Sequence, residues 1–332
     1  MATQTQTPAQ LADARYRFVT RTQRSLIAAI REIWRGLSPT SIAHDLEGGA
    51  GDAILTAVVR GQLSVVEGAQ AYVAAAMAAQ GGTAVPEALL VAEAFAGVAP
   101  DGGPLDTLLY LPAIGVQRRL AAGMTPREAM IGGLADMARY AATAVSDAAR
   151  SADQVSMAAD RRCVAYMRVV ELPACARCII LSGQTYSYSE GFLRHPNCDC
   201  QTLPLREHEW AGVKTPKELY EAMSPEQRRK AFTVAGSRAI DEGADVEQVV
   251  NARRGMTTAH VYGRDVLATT QGTTKRGFYG RRVKRAGGEF AKTPGQRYGR
   301  SMTPRLMPEE IFRIADDRDE QLRLLKRYGY IV

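Results

Sequence analysis

Long apolar runs, histidines and aromatic residues are all scarce in this chain of 332 residues. No run of eighteen apolar residues occurs, so no membrane-spanning helix of ordinary length is expected and no membrane is expected as a partner. The first eight residues, from Met1 to Pro8, lack the basic-then-apolar layout of a secretory signal, which points to a protein made and used in a reducing cytoplasm. A disulfide framework is correspondingly disfavoured. Of the four histidines, His44, His208 and His260 stand alone, and none belongs to a recognisable triad. The glycine-rich stretches carry no phosphate-loop pattern, which argues against a nucleotide site. The two tryptophans, Trp34 and Trp210, read as core anchors.

Cysteine is rare but concentrated. Four of the five cysteines fall within residues 175–200, as Cys175-x-x-Cys178 and then Cys198-x-Cys200, with His195 just ahead of the second pair. A C-x-x-C turn directs two thiolates at one ion, and a second pair at loop distance completes the tetrahedron zinc prefers. Five candidates, Cys175, Cys178, His195, Cys198 and Cys200, compete for four places. The expected set is Cys175, Cys178 and Cys198 with either His195 or Cys200, and the fifth residue supports the others. Such a set leaves no position for a catalytic water, so the zinc is expected to be structural. Reduced core cysteines are the alternative. Cys163 stands apart in an apolar run and reads as a small buried residue.

Charge is also concentrated. Between residues 275 and 305 ten Lys or Arg face the single acid Glu289, a balance of +9 against +7 for the whole chain, so the rest of the chain is weakly acidic at −2. Lys275, Arg276, Arg281, Arg282, Lys284, Arg285, Arg297 and Arg300 are the expected nucleic-acid contacts. Phe278, Tyr279, Phe290 and Tyr298, interleaved with glycines, would offer stacking faces along a polyanion without a fixed fold. A solvated linker, or a strap on an acidic protein, is the alternative. Nothing has the form of a recognition helix or finger.

The remaining pattern predicts an α+β, mostly helical chain: an N-terminal helical region, a small zinc-knuckle α+β domain, a basic extended tract and a C-terminal helix. Amphipathic spacing predicts a helix over 11–37. Ser38-Pro39 announces a short second helix, and an alanine-rich helix is expected over 51–79. Thr125-x-x-Glu128 has the form of a capping box opening a long helix to about Asp160. Branched and aromatic residues over 163–170 predict a strand, with two shorter ones at 182–186 and 201–205. These would form a small sheet with little core of its own. Ser224-x-x-Gln227 opens a helix expected to reach Ala239, and another is expected over 245–252. The expected divisions are 1–125 (helical region), 126–206 (long helix and knuckle), 207–256 (helical extension), 257–305 (basic Gly-rich extended tract) and 306–332 (C-terminal helix).

The order Tyr166-Met-Arg-Val-Val, Cys175-x-x-Cys178, Leu181-x-Gly183, Tyr186 and His195-Pro-Asn-Cys198-Asp-Cys200 resembles the Mu F-like minor capsid, or head-morphogenesis, proteins of tailed phages, in the form carried by phages of actinobacteria. The text from Phe232 through Gly255, and the ending from Arg305 to Tyr330, is similar to the same group, so the resemblance covers residues 126–332. Many relatives carry a basic residue where this chain has Asp199. The resemblance implies a noncatalytic minor structural protein of the phage head, attached near the portal and acting in head assembly and in DNA packaging or ejection. It implies the portal protein, the major capsid protein or both as partners, and packaged DNA for the basic tract. It places the chain in the virion, inside the capsid near the portal, after assembly in the host cytoplasm. A zinc-knuckle DNA endonuclease of the HNH type is the rival reading, with His195 activating water, although Glu207-His208-Glu209 lacks the usual spacing. Capsid-maturation proteolysis is a third.

Overall fold

The computed structural model describes residues 6–187, 191, 200–207, 212–261 and 263–331. The chain divides into two compact units. One is Met1–Glu171 with Ser182–Val213, and the other is Leu172–Leu181 with Lys214–Val332.

In the first unit, helix α1 (Pro8–Arg35) is opened by a capping box in which Thr7 and Gln10 satisfy each other's backbone N–H. Helix α2 (Ile42–Glu47) starts three residues later than Ser38-Pro39 suggested, because the Ser38 hydroxyl is spent on Thr40 within a turn. The alanine-rich stretch expected as one helix is two, α3 (Gly49–Glu67) and α4 (Ala69–Ala79), broken at Gly68. A β-carbon at Gly68 would lie 3.4 Å from the Arg15 guanidinium, a close but ordinary contact. The break also redirects side chains. Val58, Val65 and Val66 of α3 join a core with Ile30 and Trp34 of α1, whereas Tyr72, Val73 and Met77 of α4 serve a second core. Helices α5 (Leu105–Ala121) and α6 (Pro126–Ala158) complete the helical layer, and the Thr125–Glu128 box opens α6 as its sequence indicated.

Strands β1 (Ala165–Val170), β2 (Thr185–Ser187) and β3 (Cys200–Leu205) form a sheet in the order β2-β1-β3, antiparallel throughout. The expected lack of core is corrected here. Tyr166, Met167, Leu203 and Leu205 are buried with Ala12, Tyr72, Met77 and Met157, so the sheet draws its core from α1, α4 and α6. Side-chain hydrogen bonds join the layers as well, since the Tyr72 hydroxyl donates to the Thr202 carbonyl at 2.6 Å and the Gln80 side-chain amide to that of Pro204 at 2.7 Å.

The second unit contains α7 (Ala176–Ile179), α8 (Pro216–Ala222), α9 (Pro225–Phe232), α10 (Val234–Asp241) and α11 (Val246–Arg254). The helix expected to run from Ser224 to Ala239 breaks at Thr233, whose φ of +68° puts it in the left-handed region. Its hydroxyl accepts from the Gly236 N–H and from Arg253, which holds the strained residue as the cap of α10.

The tract 257–305 is folded rather than extended. Strands β4 (Met256–Val261) and β5 (Arg264–Thr269) make an antiparallel hairpin, α12 (Phe278–Arg285) follows, and β6 (Phe290–Ala291) pairs with β7 (Arg300–Ser301). Strand β8 (Arg305–Leu306) closes on β5. The glycines read as flexible instead permit close approach: a β-carbon at Gly280 would stand 1.9 Å from the Thr274 carbonyl oxygen, and one at Gly277 2.4 Å from that of Gly272. The closing helix is also two, α13 (Pro308–Ile314) and α14 (Arg318–Arg327), because Asp317 accepts from the Glu320 N–H and starts a new helix.

Candidate functional site

Cys175 and Cys178 occupy the first turn of α7. Cys175 is the exposed N-cap, and its Sγ accepts from the backbone N–H of Cys178, with 3.4 Å between nitrogen and sulfur. N-cap and third helical positions lie one turn apart, so both sulfurs are presented from one helical start, as a C-x-x-C half-site requires. Cys178 is buried. Cys200 is buried in the other unit, at the first position of β3 opposite Val170, and its carbonyl accepts from Arg150 Nε at 3.1 Å. His195 and Cys198 lie outside the described residues, as do Asp199, His208 and Trp210. Among the described residues no three His, Cys, Asp or Glu side chains converge on one point. The turn geometry of Cys175 and Cys178 fits a zinc half-site, and the remainder of the set is carried by the sequence alone.

Cys163 is a different kind of thiol. It is 3% exposed, and burial pushes its pKa up to about 11, offset only in part by hydrogen bonding to the backbone at Leu205 and Ala165. His44 is exposed on α2, and His260 on β4 has Nδ1 3.0 Å from the Asp265 carboxylate across the hairpin. Trp34 is the core anchor its sequence suggested, with Nε1 donating to the Met130 carbonyl.

The basic tract separates into groups with different environments. Lys275, Arg276, Arg281, Lys284 and Arg285 line one open depression of about 620 Å³. Arg281, Lys284 and Arg285 fall at spacings of three and four on α12, hence on one face. Arg282 turns away, donating to the carbonyls of Lys326 and Ile331, and so braces the end of the chain rather than joining the others. Arg297 sits beside Tyr298 in the 292–297 loop, and Arg300 is half-buried in β7. Arg305, counted in the basic run, is a core residue at 1% exposure. Its guanidinium donates to the carbonyls of Tyr328, Gln271 and Gly329 and to the Gln248 side chain, and packs 4.4 Å from the centre of the Tyr330 ring. The stacking faces expected of the tract are mostly spent. Tyr279 is buried, Phe278 and Phe290 are half-buried beneath cations, and of those four rings only Tyr298 is exposed.

Sequence reasoning missed the buried pair Arg15 and Asp153, which joins α1 to α6 through two hydrogen bonds at 2.8 and 3.3 Å. The partners are 138 positions apart, and no local spacing could reveal them. No helix among the described residues is long and apolar enough to cross a membrane.

Residues 116–225, from the end of α5 through α6, the three-stranded sheet, the C-x-x-C turn and α8, match the model of the VG15 protein family. The match supports a phage protein family, which is the coarser part of what the cysteine window implied. No curated protein and no solved structure matches the chain. The α+β, mostly helical class stands, with its zinc knuckle still a matter of sequence.

Proposed function

We propose that this chain is a noncatalytic minor structural protein of a tailed-phage head, held near the portal and acting in head assembly and in DNA packaging or ejection. The observation that carries the reading is the family match over 116–225, which spans the same long helix and cysteine window as the Mu F-like resemblance. In this reading the portal protein, the major capsid protein or both are the partners. The chain assembles in the host cytoplasm and resides inside the virion, with its basic face toward packaged DNA. Quantitative mass spectrometry of purified procapsids and mature virions is expected to find a few copies per head in both, against the portal and major capsid proteins as internal standards. Presence in procapsids alone would favour a transient assembly factor, and absence from both would remove the structural role.

A structural zinc belongs to the same proposal, held by Cys175, Cys178 and Cys198 with His195 or Cys200. Thiol labelling of the zinc-loaded full chain, read by mass spectrometry, is expected to leave the exposed Cys175 unmodified until a chelator is added. Cys163 should remain unlabelled without denaturant, because a raised pKa leaves little thiolate at neutral pH and burial blocks access. Labelling of Cys175 at the rate of an ordinary exposed thiol in zinc-loaded protein would strike it from the ligand set.

A further inference from the structure

We infer that the depression on α12 is a docking site for the phosphate backbone of double-stranded DNA, bound without reading its sequence. This deepens the proposed role by assigning the DNA contact to five residues, Lys275, Arg276, Arg281, Lys284 and Arg285, rather than to the whole basic run. All five are exposed, and none meets a carboxylate among the described residues. The contrast lies within the same unit, where Arg228, Arg253, Arg313 and Arg318 each face an acid. Five like charges around one depression of about 620 Å³ stand within roughly a Debye length of each other and repel until a polyanion neutralises them.

The helix dipole does not account for the cluster. Cations in the last turn of α12 are favoured by it, but Lys275 and Arg276 precede the Gly277 cap, at the end where the dipole opposes positive charge. Local packing does not require them either, since the cations that brace the fold here are Arg282 and Arg305. The Arg281 guanidinium lies 5.6 Å from the Phe278 ring centre and the Lys275 ammonium 5.5 Å from that of Phe290, so both heads are seated over rings. The same seating leaves Phe278 and Phe290 unable to stack on bases, and Tyr279 is buried with its hydroxyl on the Pro304 carbonyl. A site with cations and without free rings suits phosphates on a duplex better than unstacked bases on a single strand. With Tyr279 and Arg282 both engaged by backbone carbonyls, α12 offers the depression only Arg281, Lys284 and Arg285, and no Asn, Gln, Asp or Glu that would read adenine or cytosine edges.

The test is the salt dependence of binding to a mixed-sequence DNA duplex, followed by fluorescence anisotropy with the full chain. Replacing Lys275, Arg281, Lys284 and Arg285 together by alanine is expected to reduce the log-log slope by about 3.6, at about 0.9 for each of four lost phosphate contacts. A control that removes Arg229, Lys230 and Arg254, also exposed on this unit, is expected to leave the slope within about one of the parent. Matching thermal melts for both variants establish that the fold is retained. An unchanged slope in the fourfold variant, or an equal fall in the control, overturns the assignment. Displacement of the duplex by polyglutamate at equal charge overturns it in favour of an acidic protein partner. These outcomes are read on purified chain and are independent of its copy number in the head, so either proposal can fail while the other stands.

Discussion

Replacing Arg305 with methionine is expected to destabilise the C-terminal unit by about 2–4 kcal/mol, although the substitution removes a charge from a strongly basic run. The guanidinium is 1% exposed and faces no carboxylate in its hydrogen bonds. Its charge is met by three backbone carbonyls, one amide oxygen and the Tyr330 ring. Burial pushes its pKa down, the mark of a cation held out of water by dipoles alone. Methionine fills part of the volume but leaves the carbonyls of Tyr328, Gly329 and Gln271 without a donor, and each such buried acceptor costs about 1–3 kcal/mol. Lysine should recover only part of the loss, because three donors from one point cannot span acceptors on the 271 loop and at residues 328–329. Urea denaturation gives the magnitude, and hydrogen exchange should place the loss of protection around β5, β8 and α14. A variant as stable as the parent would show that the network carries no net stability.

Removing Asp153 is the second large effect, expected at about 3–5 kcal/mol for Asp153→Ala. Arg15 and Asp153 have side-chain exposures of 4% and 0%, so the alanine leaves a guanidinium buried beside Tyr72 with no counter-charge. Replacing both, as Arg15→Met with Asp153→Leu, should restore most of the loss or exceed the parent, since the pair must be desolvated before it can attract. The pH dependence gives an independent check. Burial raises the Asp153 pKa and Arg15 pulls it back only in part. The native chain therefore keeps this proton to higher pH than the unfolded chain, and stability from this group falls as pH rises from the ordinary aspartate range through the raised value. The double variant should lose that slope. A double variant as unstable as Asp153→Ala would mean that shape, not charge, sets the cost.

Much of the helical framework was legible because its signals are local. Thr125, Ser224 and Asp245 each accept a backbone N–H three residues on and were read as helix starts, whereas Thr7 and Thr215 carry the same signal and were not. The three strands around the cysteine window were legible from branched residues in the same way. The helix breaks were less so. Asp317 and Glu320 carry a capping signal that could have been read, whereas the left-handed Thr233 is held by Arg253 from another helix.

The sequence by itself determined the helical class, the capping-box starts at Thr125 and Ser224, the clustering of cysteine and of positive charge, and the C-x-x-C turn, since each depends on residues within a few positions of one another. Tertiary structure alone decided which cations face solvent and which are structural. Arg281 and Arg282 are neighbours in sequence, yet a helix points successive side chains about 100° apart, sending one to the open depression and the other to the carbonyls of the closing segment. It also decided that glycines in the basic tract serve close backbone contact rather than freedom, and that the small sheet draws its core from distant helices. Burial, and the pairing of charges far apart along the chain, are properties of the packed molecule, and no local pattern encodes them.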